Sequence, residues 1–100
     1  MKIENLGQCL LVSEIPELTA VNSAHFRDEI RAALPQSPTM IEIDLSETRF
    51  VDSSGLGMLF ALYRATGQGN VVLRLLNPKP EIQQLLELTQ MQLLFEIVQR

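Results

Sequence analysis

Met40-Ile41-Glu42-Ile43-Asp44-Leu45 and, after a short gap, Phe50-Val51-Asp52-Ser53-Ser54-Gly55-Leu56-Gly57 are the stretches whose reading decides the fold. In the first, Ile41, Ile43 and Leu45 alternate with Met40, Glu42 and Asp44, the period-two pattern of a strand with one apolar face. In the second, Phe50-Val51 reads as a loop. Asp52-Ser53-Ser54-Gly55 is N-cap chemistry opening a helix that runs to about Thr66. Gly67 and Gly69 are expected to end it, since glycine enters the left-handed region without a Cβ penalty.

The same alternation continues outward in both directions. Lys2–Asn5 and Cys9–Ser13 predict two short strands joined by a turn at Leu6-Gly7-Gln8, and Ile15–Val21, which holds Pro16, is expected to be a loop. Asn22 or Ser23 can cap a helix with Phe26, Ile30, Ala33 and Leu34 inward, at i, i+4, i+7 and i+8; Pro35 and Pro38 close it. Beyond the central helix, Val71–Leu76 is nearly continuously apolar, as in a strand central to its sheet. Asn77-Pro78-Lys79-Pro80 punctuates, Glu81 begins a third helix with Ile82, Leu85, Leu86 and Met91 inward, and Leu94–Val98 predicts a last strand. This alternation specifies an α/β fold: one domain over residues 1–100, with a mixed, mainly parallel sheet, right-handed crossovers and helices packed against it.

Composition narrows the function. One hundred residues with 46% hydrophobic content suit a single core, and a chain of this size buries about 65% of its unfolded surface. Eight basic against twelve acidic residues leave a net charge of −4, without the basic stripe of a phosphate-backbone binder, so nucleic acid is not an expected partner. The longest nearly apolar stretch, Leu56–Tyr63, is far short of the ~18 residues that span a membrane, and the amino end has no clean signal-peptide core. A lone cysteine, Cys9, fits a reducing compartment, the cytoplasm, and reads as a small core residue.

No catalytic constellation emerges. Metal sites need three or four converging ligands, and the chain has one histidine and one cysteine in separate elements. His25, the one available imidazole base, sits beside Phe26 on a helix and reads as a surface residue. The nucleophile elbow and the phosphate-binding glycine loop are absent, and Phe60 stands where a dinucleotide fingerprint requires its third glycine. No enzymatic activity, cofactor or metal is expected. Arg74 sits in an otherwise apolar strand, its head turned outward or held in a core-facing ion pair.

The anomaly is the start of the central helix. Gly55 and Gly57 each cost about 1 kcal/mol relative to alanine there, and capping by Asp52 or Ser53 does not account for them. Small residues would let another backbone approach closely and leave the Ser53 hydroxyl uncrowded. On a helical wheel Leu56, Leu59, Phe60 and Tyr63 cluster toward the core. Ser54, Gly57, Met58, Ala61 and Ala65 fall opposite, with Leu62 on the flank and no charge before Arg64. Such a face is either covered by another element of the chain, which needs helices on both sides of it, or is an exposed docking surface. A phosphate on Ser53 would add about −1.5 to −2 charges at that surface.

At this point the chain resembles the STAS-domain family, particularly its bacterial anti-sigma factor antagonists. The resemblance is carried by Ile41-Glu42-Ile43-Asp44-Leu45, by Phe50 through Gly57, by Leu62-Tyr63-Arg64 and by Gly69-Asn70, with strand and helix order agreeing along nearly the whole chain. It implies a partner-switching regulator. Ser53 would be phosphorylated by a cognate anti-sigma factor that is also an ATP-dependent serine kinase. The unmodified form would bind that kinase and free its client, and a metal-dependent serine phosphatase would restore it. Asp52 and Ser54 would flank the acceptor, and Gly55, Leu56, Gly57 and Met58 would belong to the docking helix, its face continuing through Ala61 and Leu62. Family members often carry G-E-L-D in the loop before the first helix, a stretch that contributes to partner contact; here it reads Pro16-Glu17-Leu18-Thr19, and Thr19 takes the carboxylate position. The chain also stops soon after the last strand, where many relatives add a helix. The competing reading is a non-phosphorylated structural STAS subunit of a membrane lipid transport complex of the ABC type; the Ser53-Ser54 pair argues against it.

Overall fold

A computed structural model describes residues 1–66 and 70–100. Gly67 and Gly69 lie outside the described residues. A five-stranded sheet has the order β1-β2-β4-β6-β7, built from β1 (Lys2–Leu6), β2 (Cys9–Ser13), β4 (Met40–Asp44), β6 (Val72–Leu76) and β7 (Glu96–Val98). β1 and β2 form an antiparallel hairpin in which Leu6 faces Cys9, and Gly7 turns it with φ of 80°. Every other pairing in this sheet is parallel.

Three helices make the crossovers: α1 (Ser23–Ala33), α2 (Ser53–Ala65) and α3 (Pro80–Leu88). The strands march in one direction from β2 to β7, so right-handed crossovers place all three helices on one face. A single core agrees with this. Leu10, Val12, Ile41, Ile43, Leu73 and Leu75 from alternate strand positions join Phe26, Ile30, Leu59, Leu62, Ile82 and Leu86 from the helices. Met91 is buried too, but in a short 3-10 turn (Met91–Leu93) beyond α3 rather than in the helix itself.

The expected loops at Ile15–Val21 and Phe50-Val51 are corrected by the structure. Each contains a two-residue strand, β3 (Glu17–Leu18) and β5 (Phe50–Val51), and the two pair in parallel as a separate small sheet. Two residues are too few to show a period. The pairing is held instead by long-range backbone bonds, Arg49 N–H to the Pro16 carbonyl and Asp52 N–H to the Leu18 carbonyl. Thr48, fully buried, donates its hydroxyl to the Ile15 carbonyl at 2.6 Å and ties the two segments together.

The face of the large sheet turned away from the helices carries charge. Glu42, Arg74 and Glu96 are direct cross-strand neighbours. Arg74 Nη1 lies 3.0 Å from Glu42 and Nη2 lies 3.1 Å from Glu96, while Arg100 reaches the same Glu42 oxygen at 3.0 Å. Glu42 is thereby buried without being left unpaired. Arg74 therefore points away from the core and is ion-paired, and its guanidinium is held above its ordinary value, chiefly by the Glu42 hydrogen bond. Cys9 is half-buried on this same face rather than in the core, and burial, with Glu42 nearby, pushes its thiol up.

Two charged donors converge on one Glu42 oxygen, so Glu42→Ala is expected to lower unfolding free energy by about 2–3 kcal/mol. Arg100→Ala, at an exposed end of the network, is expected to cost under about 1 kcal/mol. Urea denaturation of both variants checks the ordering.

Candidate functional site

The site is the corner where β3, β5 and the start of α2 meet. Asp52 leaves β5 in an extended conformation and becomes the N-cap of α2. Its carboxylate accepts from Gly55 N–H at 3.0 Å and from Ala20 N–H at 3.1 Å, and its carbonyl accepts the first helical bond from Leu56. One side chain thus closes the helix end and fastens the loop entering α1 to it. The Gly55 N–H, with those of Ala20 and Ser54, holds the Asp52 carboxyl below the usual carboxylate range.

Ser53 and Ser54 follow as the first helical residues, both exposed. The two glycines then separate in role. A Cβ on Gly55 would collide with the Leu18 carbonyl and come within 2.8 Å of Leu18 Cβ, so this glycine is required by the contact of α2 with β3. A Cβ on Gly57 would meet nothing within 4 Å. Nothing in the described chain requires Gly57 to lack a side chain, and it lies exposed.

The helix is rotated from its expected orientation. Its core face runs through Gly55, Met58, Leu59 and Leu62, Leu56 and Tyr63 are only partly buried against the core, and Phe60 is 41% exposed. The wheel placed Met58 outward and Leu62 on the flank because a wheel of one helix holds no information on its neighbours. α1 packs alongside α2, and both residues are buried. Between the helices a groove of about 320 Å³ remains, with Ser23, Ala24 and Arg27 on one wall and Ser54, Gly57 and Ala61 on the other, over Met58. Both alternatives for this face are therefore partly realised: α1 covers its edge and the rest stays open.

Ser53, the expected acceptor, and Ser54, Gly57 and Ala61 of the residues expected at partner contact form one accessible patch beside Asp52, with Leu56 partly buried against the core. Gly55, Met58, Leu62 and Thr19 are buried and offer a partner little surface. Thr19 organises the loop instead. Its carbonyl accepts from Ser23 Oγ at 2.6 Å, its N–H donates to Asn22 Oδ1 at 3.0 Å, and its hydroxyl accepts from Val21 N–H at 3.3 Å. That use of the Asn22 side chain explains why Asn22, although it stands at the N-cap of α1, does not cap it. The α1 wall of the groove was missed in the sequence; the small residues Ser23 and Ala24 with Arg27 a turn later on the same helix, and Ala20 in the turn before it, were its only signal.

His25 is exposed and lies 3.2 Å from Glu29 on α1. Among the described residues no group of three or more His, Cys, Asp or Glu is placed to hold a metal ion, and no helix is long and apolar enough to cross a membrane.

Gly55→Ala is expected to cost about 2–3 kcal/mol through overpacking against Leu18. Gly57→Ala is expected to leave stability unchanged or raise it by up to about 1 kcal/mol. Denaturant unfolding of the pair separates the structural glycine from the dispensable one. A carboxyl with a lowered folded pKa contributes stability above its unfolded value, near pH 4, and loses it as pH falls through the folded value. The stability difference between native chain and Asp52→Asn, followed by thermal unfolding, is therefore expected to shrink as pH drops below about 4.

Comparison with known proteins bears on the fold and the family. The family model of the STAS domain matches residues 1–100. A STAS-domain containing protein of Pseudomonas aeruginosa (strain UCBPP-PA14) is 36% identical over 73 residues, 72% of this chain and 70% of that protein. Among solved structures, the anti-sigma factor antagonist SpoIIAA in its unphosphorylated form has a TM-score of 0.81 at 21% identity, over 96% of this chain and 85% of that one. An anti-sigma factor antagonist from Mycobacterium paratuberculosis has a TM-score of 0.78 at 23% identity, over 97% and 82%. At these identities the structures establish a shared fold. With the family model matched from end to end, the chain belongs to the STAS domain family.

Proposed function

We propose that this protein is an anti-sigma factor antagonist that works by partner switching, with Ser53 as the phosphate acceptor. The observation that carries the reading is the pairing of an exposed Ser53 at the start of α2 with a Gly57 that has no side chain and no need within the chain to lack one. In its unmodified form the chain binds and sequesters an anti-sigma factor that is also a serine kinase. The fold supports the reading, since SpoIIAA, which shares it, has been solved in both unphosphorylated and phosphorylated forms.

The chemistry is a phosphoryl transfer in which this chain is the substrate. Ser53 Oγ forms a bond to the γ-phosphorus of kinase-bound ATP, the bond to the β–γ bridging oxygen breaks, and ADP leaves. The hydroxyl proton passes to a base on the kinase. A metal-dependent serine phosphatase returns the hydroxyl by adding water across the Oγ–phosphorus bond and releasing inorganic phosphate. Dependence on ATP places the exchange in the cytoplasm.

Electrostatics then supplies the switch. The phosphate brings about −1.5 to −2 charges next to Asp52, a carboxyl that backbone N–H groups hold below the usual carboxylate range. The positive end of α2 tolerates that charge in water, so the fold survives. A partner packed over Gly57 must desolvate the phosphate, at several kcal/mol, which lowers affinity by orders of magnitude.

Mass spectrometry of the protein from its native cells is expected to find phosphate at Ser53 and none in Ser53→Ala. Ser53→Asp is expected to bind the kinase at least about tenfold more weakly than the native chain. Absence of phosphate in every growth condition would overturn the reading.

A further inference from the structure

We infer that Phe60 and Arg64 form a second recognition point on α2, received by an apolar pocket edged with a carboxylate on the kinase that docks at Ser53. This inference rests on the docking reading above. With Gly55, Met58, Leu59 and Leu62 turned to the core, the exposed residues Ser53, Gly57, Phe60 and Arg64 follow at spacings of four, three and four. They form one outward line along the helix.

An aromatic ring on that line has no role in the core. Phe60 keeps 41% of its surface exposed and belongs neither to the core nor to the partly buried residues packed on it. Its ring is backed by Tyr63 at 6.4 Å between centroids, and Tyr63 in turn meets Phe95 at 6.5 Å. The Arg64 guanidinium stands 6.0 Å from the Phe60 centroid, at the outer limit of a cation–π contact. No carboxylate pairs with Arg64 among the described residues.

Along the axis Phe60 lies about 10 Å and Arg64 about 16 Å from Ser53, and the Gly57 between them holds no partner surface away. Phenylalanine and arginine are both enriched at protein interfaces relative to the rest of the surface, and arginine is among the types that dominate binding energy there. The charge selects the partner's chemistry. On a chain of net charge −4, the helix presents its one outward formal charge as an unpaired cation, so a facing carboxylate gains a charge-assisted hydrogen bond and a facing cation is rejected. Contacts this far from the reacting hydroxyl bind ground state and transition state alike, so their loss is read in KM rather than in kcat.

The test replaces Phe60, the exposed Ala24 on the α1 wall of the groove or, as a control, the exposed Leu93 of the 3-10 turn with the photo-crosslinking residue p-benzoylphenylalanine in native cells. The protein captured is purified and assayed for phosphorylation of Ser53 with ATP. Capture at 60 and 24 but not at 93 is expected, and Phe60→Ala and Arg64→Glu are expected to raise KM about tenfold or more with kcat within about twofold. Arg64→Lys should recover much of the loss from Arg64→Glu, and thermal unfolding should show all three variants folded as the native chain is. A kinase captured at 24 whose KM is unmoved by either variant overturns the second recognition point and leaves the docking reading standing. Capture at neither position, or of a protein that does not phosphorylate Ser53, overturns both.

Discussion

The architecture of the site depends on the approach of α2 to the backbone of Leu18. At Gly55 the helix comes so close to β3 that no side chain fits. Asp52 then bonds in two directions, forward to Gly55 N–H and across to Ala20 N–H. These contacts pin the helix start to the loop that launches α1, and the position of α1 against α2 follows. So does the groove between them, because its walls are the next turns of two helices whose beginnings are fastened together. Packing at one glycine thus fixes where the serines are held.

The sheet divides labour between its faces. Successive crossovers of one hand put every helix on one side, which concentrates apolar burial there and leaves the opposite face to be stabilised by other means. Glu42, Arg74, Glu96 and Arg100 do so with a network crossing three strands. A carboxylate as buried as Glu42 would be costly alone; shared between two guanidinium groups it is tolerated, and it links the centre of the sheet to the last residue of the chain. Neither end of that network enters the corner holding Ser53, so the support of the sheet and the chemistry proposed for the helix can vary independently.

Long apolar patterns were legible in the sequence and contacts between distant short segments were not. Ile41-Glu42-Ile43 declared a strand because its alternation is local, and Asp52 declared a helix start because capping is local. Glu17–Leu18 and Phe50–Val51 were invisible as strands, since two residues carry no period and each exists only by pairing with the other. The same limit misplaced Phe60. Its spacing from Leu56 suits a core stripe as well as an exposed one, and only tertiary packing decides that Met58 and Leu62 go inward. The motif singles out Asp52, Ser53 and Gly57 as candidates, yet it cannot distinguish Gly55, which packing demands, from Gly57, which packing does not.

That distinction bears on what the helix is for. A helix selected only for stability would carry alanine or a charged residue at position 57, because the space is free and glycine costs about 1 kcal/mol. It would also carry a polar residue at position 60 rather than a half-exposed phenylalanine. Both departures fall on the line that begins at Ser53: a Cβ at position 57 would meet nothing, and Phe60 rests on Tyr63 while leaving 41% of its surface exposed. Two such costs on one line are what the proposed docking of a second molecule would account for. The serine at its head is where a single added phosphate would most directly close that surface.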